Sequence, residues 1–382
     1  MQNRYLYKII GLFLFFSNIS YAASLNLILE KGCQGCSVLS LDWFLSSGNN
    51  YLASGGEDQT NNKQIHVALF DASQGTLVNK ATASFGSSND VIKALDEITI
   101  DDKTFIAAGG QTGSNNNQIV IYEFTGNKLK NRRMTTVHAT VNTVQWLTVN
   151  DDDYYLAVGS NEAGSELRIY YFNPEDYHLT LLDDTVQNFF NGAVNSVDWL
   201  TYNGNYYLAV GGFETASIPN EIRIYQFDPE LNSLTLSSSS SFFGNTVNNL
   251  KWFEDSGILY LATVGNDSVG TSQIRIFTFD TTSDTLSLLT SASFNNNSIA
   301  YAVDWLNFGG TIYLAVGGNS GVSENGVQVF TFDGSTLTLA ASVYDSNAEV
   351  RTVQWNVINS DAYLAAGTTF KHPIRIFQLI VT

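Results

Sequence analysis

The residues with the most chemical potential near the start of the chain are Cys33 and Cys36, in the stretch "CQGC". A redox pair of this spacing wants its first thiol at a helix N-terminus, which lowers the thiol pKa. Nothing around it has a helical period, so a local disulfide is the expected state, with free thiols or a metal or redox role as alternatives. A zinc site would need two further ligands, yet His66, His138, His178 and His372 are widely scattered. Carboxylates form the second group: Glu57, Asp58, Glu162, Glu214, Glu221, Asp267 and Glu324, to which His372 is added. They fall in variable Gly-, Asn- and Ser-rich stretches such as "GGEDQTNNKQ", "GSNEAGSE" and "GGFETASIPNE". Displayed together on one face, they would suit a cationic protein surface, a glycan or a divalent cation.

Other clusters are more ordinary. Asp151, Asp152 and Asp153 are adjacent, without the alternating spacing and Gly turn of a calcium loop. Calcium is therefore weakly indicated, and neither a metal centre nor a cofactor is expected. Arg168, Arg223, Arg275 and Arg375 occupy one recurring slot, which is filled by His66, Val120 and Gln328 elsewhere. They would either line a channel as an anion site or pair with neighbouring carboxylates; pairing is the expectation. The basic run "NKLKNRRM" (Lys128, Lys130, Arg132, Arg133) reads as the guard of a strand edge. The sequence contains no Gly-x-Ser-x-Gly elbow, His-Glu-x-x-His motif or phosphate-cradling Gly loop.

These residues are spaced by a repeat. Trp43, Trp146, Trp199, Trp252, Trp305 and Trp355 each close an apolar segment of the type "VNSVDW". The spacing is 53 residues from Trp146 to Trp305, 50 in the last step, and 103 between the first two. The wide gap holds one more copy, "IKALDE…FIAAGG", in which Glu97 replaces Trp. A charge there must be solvated or paired, and a local strand irregularity is expected, with Glu97 reaching a channel as the alternative. Recurrence at a single position makes the six Trp core residues between neighbouring units, not a ligand-stacking array.

Each of the seven copies reads as four short strands: the Trp segment, a polar turn, "YYLAVGG", a loop, "IRIYQF", a turn such as "DPELNS", and "LTLSSSSSF". Four strands at a period near fifty is the pattern of a β-propeller blade. The expected fold is therefore all-β, a seven-bladed β-propeller over residues 23–382 with four antiparallel strands per blade. The seventh copy stops after its third strand, "IRIFQLIVT", and residues 25–30 match the fourth-strand segments in their distance to the next Val. The N-terminal strand is thus expected to complete the last blade and close the ring. "VNSVDWLTYNGNYYLAVGGFETASIPNEIRIYQFD" resembles a WD40 repeat, and the resemblance runs along the whole of residues 23–382. Two marks depart from that pattern: no Gly-His precedes the Trp strand, and Trp-Asp becomes Phe-Asp at Phe227-Asp228, Phe279-Asp280 and Phe332-Asp333. The resemblance implies a rigid disc used for protein interaction, commonly without catalysis.

Residues 1–22 have the basic, apolar and small-residue regions of a secretory signal peptide, with cleavage expected after Ala22. Export to a secreted or periplasmic location follows. Without Arg4 and Lys8, 16 Lys+Arg face 36 Asp+Glu, a net charge of −20. Such acidity disfavours nucleic acid and anionic lipid, and no later stretch is long enough to cross a membrane. The expected function is an exported, monomeric, non-catalytic scaffold binding a protein partner through its loop face. The alternatives are a propeller hydrolase or lactonase with a divalent cation at the central channel, and a glycan-binding surface.

Overall fold

The computed structural model describes residues 23–31, 36–113, 117–182, 185–187, 192–213, 220–241, 246–267, 272–295, 298–319, 325–344, 349–369 and 373–381. They form seven four-stranded antiparallel sheets and no α-helix. After β1 (Ala23–Lys31), blade one comprises β2 (Cys36–Ser46), β3 (Asn49–Asp58), β4 (Ile65–Asp71) and β5 (Thr76–Ala83). Blades two to six start at β6 (Val91–Ile100), β10 (Val141–Val149), β14 (Ala193–Tyr202), β18 (Thr246–Asp255) and β22 (Ala300–Phe308). Blade seven joins β26 (Val350–Ile358), β27 (Asp361–Thr368) and β28 (Ile374–Val381) to β1.

Turn chemistry sets the register within each blade. All seven hairpins between first and second strands have two central residues at positive φ, as in Asn203-Gly204 (50° and 75°) and Asn150-Asp151 (51° and 66°). This twist matches the flanking strands, and Asn, Asp and Gly tolerate it best. The acidic run at Asp151–Asp153 is accounted for by one such hairpin. The Asp of the Phe-Asp pair serves the next turn. Asp228 accepts from the backbone N of Glu230 and Leu231, and Asp333 from those of Ser335 and Thr336. These side-chain turns close the third-to-fourth-strand connection.

Ring closure follows the expected pairing. β1 lies antiparallel to β28, with Leu25 opposite Leu379 and Lys31 opposite Ile374. Its ladder skips a residue between Leu27 and Leu29. The outermost strands of blades four and five skip one in the same way, between Leu236 and Ser238 and between Leu288 and Thr290. Such bulges bend and twist the outer strand, so β1 carries the geometry of a true fourth strand.

Three aromatic side chains meet at most blade seams. In blade four, Trp199 packs on Phe227 (5.6 Å between ring centroids), and Phe227 meets Tyr155 of blade three edge-on at 4.9 Å. Tyr207–Phe279–Trp252 and Tyr260–Phe332–Trp305 repeat the arrangement. The Phe that replaces the usual Trp before Asp is thus the bridge between one blade's Trp and its neighbour's Tyr. The first Gly of "YLAVGG" lets the blades approach: a Cβ on Gly211 would stand 2.6 Å from Val247 Cγ1 of blade five. Glu97 stands opposite Ile106 in unbroken register, and the skip in its strand, between Ile92 and Ala94, is the one seen in every first strand. The expected irregularity at Glu97 is therefore absent. The side chain stays half-buried and accepts from Thr99 Oγ1 at 2.7 Å.

Deleting residues 23–31 is expected to expose β28 and remove the folded monomer, measured by light scattering and circular dichroism; a monodisperse, fully folded deletion refutes closure by β1. Gly211→Ala is expected to cost about 1–3 kcal/mol in chemical denaturation, through overpacking at the seam.

Candidate functional site at the central channel

The first strand of each blade turns its inner edge to a central channel of about 220 Å³. No strand lies across that edge, so its backbone N–H groups need other acceptors. In six of the seven blades the residue immediately before the Trp position, which Glu97 fills in blade two, provides one. Asp96 Oδ2 accepts from the backbone N of Trp146 at 2.6 Å, Gln145 Oε1 from Trp199 at 2.7 Å, and Asp198 Oδ2 from Trp252 at 2.6 Å. Asp304 accepts from Trp355, Gln354 from Trp43, and Asp42 from Glu97. In each case the side chain reaches into the following blade. Lys251 cannot accept, and there the backbone N of Trp305 turns to Asp304 of its own blade.

Two further tiers repeat the stitch. Asn142, Asn195 and Asn248 donate to the backbone O of Val194, Val247 and Ala300 at 2.8–3.1 Å. Ser40, Ser196 and Asn249 accept from the backbone N of Leu95, Leu250 and Val303. The Asn tier forms one mouth of the channel together with Leu39, Lys93, Tyr301 and Arg351. At that mouth the Arg351 guanidinium lies 3.9 Å over the Tyr301 ring. Glu349 pairs with Arg351 and accepts from Tyr301 Oη at 3.4 Å.

The throat is short of positive charge. Asp42, Asp96, Asp198 and Asp304 face one cation, Lys251, whose Nζ lies 2.8 Å from Asp198 Oδ1. Burial pushes the Asp304 carboxyl up to about 6, even with Lys251 nearby. Burial and mutual repulsion raise Asp96 well above the carboxylate range, and burial raises Asp42 as well. Glu97, also desolvated, reaches about 7. Burial disfavours the Lys251 charge, but Asp198 and Asp304 outweigh it and hold the ammonium on. Among the described residues no three His, Cys, Asp or Glu side chains converge on a single metal position.

Among the described residues of the expected acidic rim, three of five carboxylates are taken up inside the fold. Asp58, Glu221 and Asp267 are buried, not displayed. Asp58 accepts from the backbone N of Thr60 and Asn61, closing its own loop. Asp267 pairs with Arg275 at 3.3 Å, Glu162 with Arg168 at 2.5 Å, and Arg375 with Glu30 at 3.0 Å. Three of the recurring arginines, Arg168, Arg275 and Arg375, are thus partners of carboxylates, while Arg223 donates to Tyr225 Oη at 3.4 Å. Of the rim, Glu57 and Glu162 stay half-exposed. Glu214, Glu324, His372 and Cys33 lie outside the described residues. Cys36 opens β2 and is disulfide-bonded. Arg132 of the basic run is held by Glu123 and stacks 4.7 Å over Tyr177.

The throat residues Asp42, Asp96, Asp198, Lys251 and Asp304 are not singled out by motif or composition. Their signal in the sequence is a polar residue before each Trp, inside an otherwise apolar strand.

A carboxyl whose folded pKa lies above its unfolded value stabilises the fold most when protonated, and that stability is lost as pH rises through the folded pKa. With Asp304 near 6 and Glu97 near 7, stability is expected to fall between pH 5 and pH 8, by on the order of 2–5 kcal/mol. Thermal melts across that range check it. Asp96→Asn keeps an acceptor for Trp146 and removes one charge, and is expected to raise Tm at pH 8 and flatten the profile. An unchanged slope would place the pH dependence elsewhere.

No family model matches the chain, and no curated protein matches it. Among solved structures, it is similar to the β-propeller domain of Cps50 (Swd1) from Myceliophteria thermophila, at 13% identity and a TM-score of 0.59. The match covers 91% of this chain and 99% of that domain. At that identity the likeness speaks for the fold alone, and with the seven four-stranded sheets it makes this chain a seven-bladed β-propeller.

Proposed function

We propose that this protein is an exported, non-catalytic interaction module that holds a protein partner against the loop face around the channel mouth. The observation that carries the reading is the Tyr301–Arg351–Glu349 cluster, set beside Lys93 on strands locked by side-chain stitches. Tyr and Arg contribute most to protein interfaces when they are buried by the partner. Their mutual stacking holds both near one geometry before binding, which lowers the ordering cost. Lys93 and Arg351 give the mouth two cations against the one carboxylate of Glu349, on a chain of net charge −18, so an acidic partner segment suits it better than the cationic surface suggested by the loop carboxylates alone. The leader-like residues 1–22 and the disulfide at Cys36 support an oxidising compartment outside the cytoplasm.

Crosslinking capture with residues 23–382, beside an Arg351→Ala/Tyr301→Ala variant, tests the proposal. A protein captured by the parent is expected to bind the variant at least tenfold more weakly, with circular dichroism unchanged. Equal capture by both proteins, or none by the parent, counts against the mouth, and metal content and sugar-panel binding then become the discriminating measurements.

A further inference from the structure

The slot occupied by arginine in four blades holds His66 in blade one, at the seam that closes the ring. In blades three, four and five the arginine is buried. Val120 fills the slot in blade two as part of the apolar core, and Gln328 in blade six donates to Asn295 Oδ1 at 2.9 Å. In blade one the shorter imidazole borders a cavity of about 110 Å³ between blades one and seven.

The chemistry of this cavity is divided. Val38, Ala68 and Ile374, all buried, give it an apolar floor. Lys31, Lys63 and His66 lie on its wall, and Glu57 is at its edge. The Lys31 ammonium is anchored by Asn79 Oδ1 at 2.5 Å and the Leu77 carbonyl at 3.3 Å, and Lys63 reaches Ser84 Oγ at 3.4 Å. Both amines are thus held near the imidazole, whose pKa is pulled down by burial and further by the two lysines, against the pull of Lys63's backbone contact and Asp58. The nearby Arg375 is engaged by Glu30.

We infer that this seam cavity is a binding site for a short aliphatic monocarboxylate, its tail on the Val38–Ala68–Ile374 floor and its carboxylate between Lys31, Lys63 and His66. Glu57 at the edge sets the charge limit, since a dianion would meet its carboxylate. The volume admits a few carbon atoms and no large ring. The site lies apart from the channel mouth and does not depend on the interaction reading above.

Butyrate is the probe, with butyramide and inorganic phosphate at matched ionic strength as controls. Imidazole signals of the four histidines are followed by NMR, His66 being assigned by its loss in His66→Gln. Butyrate is expected to shift the His66 signals saturably, with a dissociation constant on the order of 1 mM, and to raise the His66 pKa. Butyramide and phosphate are expected to leave them unmoved. Lys63→Met is expected to weaken the effect at least tenfold. His66→Arg, which installs the residue used in four other blades, is expected to fill the cavity and abolish butyrate protection in thermal melts. No butyrate shift, an equal shift by phosphate or butyramide, or unchanged binding in folded Lys63→Met overturns the proposal.

Discussion

Seven strands surround a channel, and none of them has a partner on its inner edge. That single constraint organises the molecule. An orphaned buried N–H costs on the order of 1–3 kcal/mol, and the ring would hold one for every blade. The fold answers with one side-chain acceptor before almost every Trp, each reaching the next blade's backbone. Because every bond crosses a seam, the stitches that satisfy the backbone also fix the angle between blades. Trp, Phe and Tyr then fill the outer part of the same seams, so polar and apolar cohesion act at different radii on one interface.

The solution has an electrostatic consequence. Carboxylate is a strong acceptor for an N–H, but several carboxylates around one narrow channel repel each other. Gln145 and Gln354 accept without charge, and Lys251 supplies a counter-ion at the cost of its own acceptor role. Even so, Asp42, Asp96 and Asp304 are driven toward protonation. The throat is tuned by two demands that conflict, backbone satisfaction and charge balance, and its pH sensitivity comes from that conflict. The mouth is different: its bulged residues keep exposed surface, and Tyr301, Arg351 and Lys93 stand there on strands tied to their neighbours by side-chain hydrogen bonds. Recognition groups placed on stitched strands lose little entropy when a partner arrives.

Loop acidity, by contrast, is a poor guide to this surface. Asp58, Glu162, Glu221 and Asp267 sit in sequence stretches that look like solvated rim, yet three of them are buried and the fourth holds Arg168. Short loops between closely spaced strands leave many backbone and guanidinium donors to satisfy, and the nearest carboxylates do so. Only the residual exposed surface is free to meet another molecule.

Blade number, strand order, hairpin positions and closure by residues 25–30 were legible from the sequence, because each rests on local signals: the Trp period, short turns at Asn-Gly-type positions, and a segment at residues 25–30 that matches the fourth strands of the other blades. The turn-closing Asp of the Phe-Asp pair acts equally locally, whereas the Phe reaches a Tyr of the neighbouring blade. What the sequence by itself could not show was the fate of polar side chains. Whether Glu221 faces water or a buried backbone, whether Asp42 and Asp304 meet the same throat, and whether Tyr301 lies beneath Arg351 depend on residues about fifty or several hundred positions apart. Periodicity assigns a residue to a strand and a face. Only ring closure brings seven inner edges within reach of one another, and the unsatisfied backbone along those edges decides which side chains become structure and which remain available for binding.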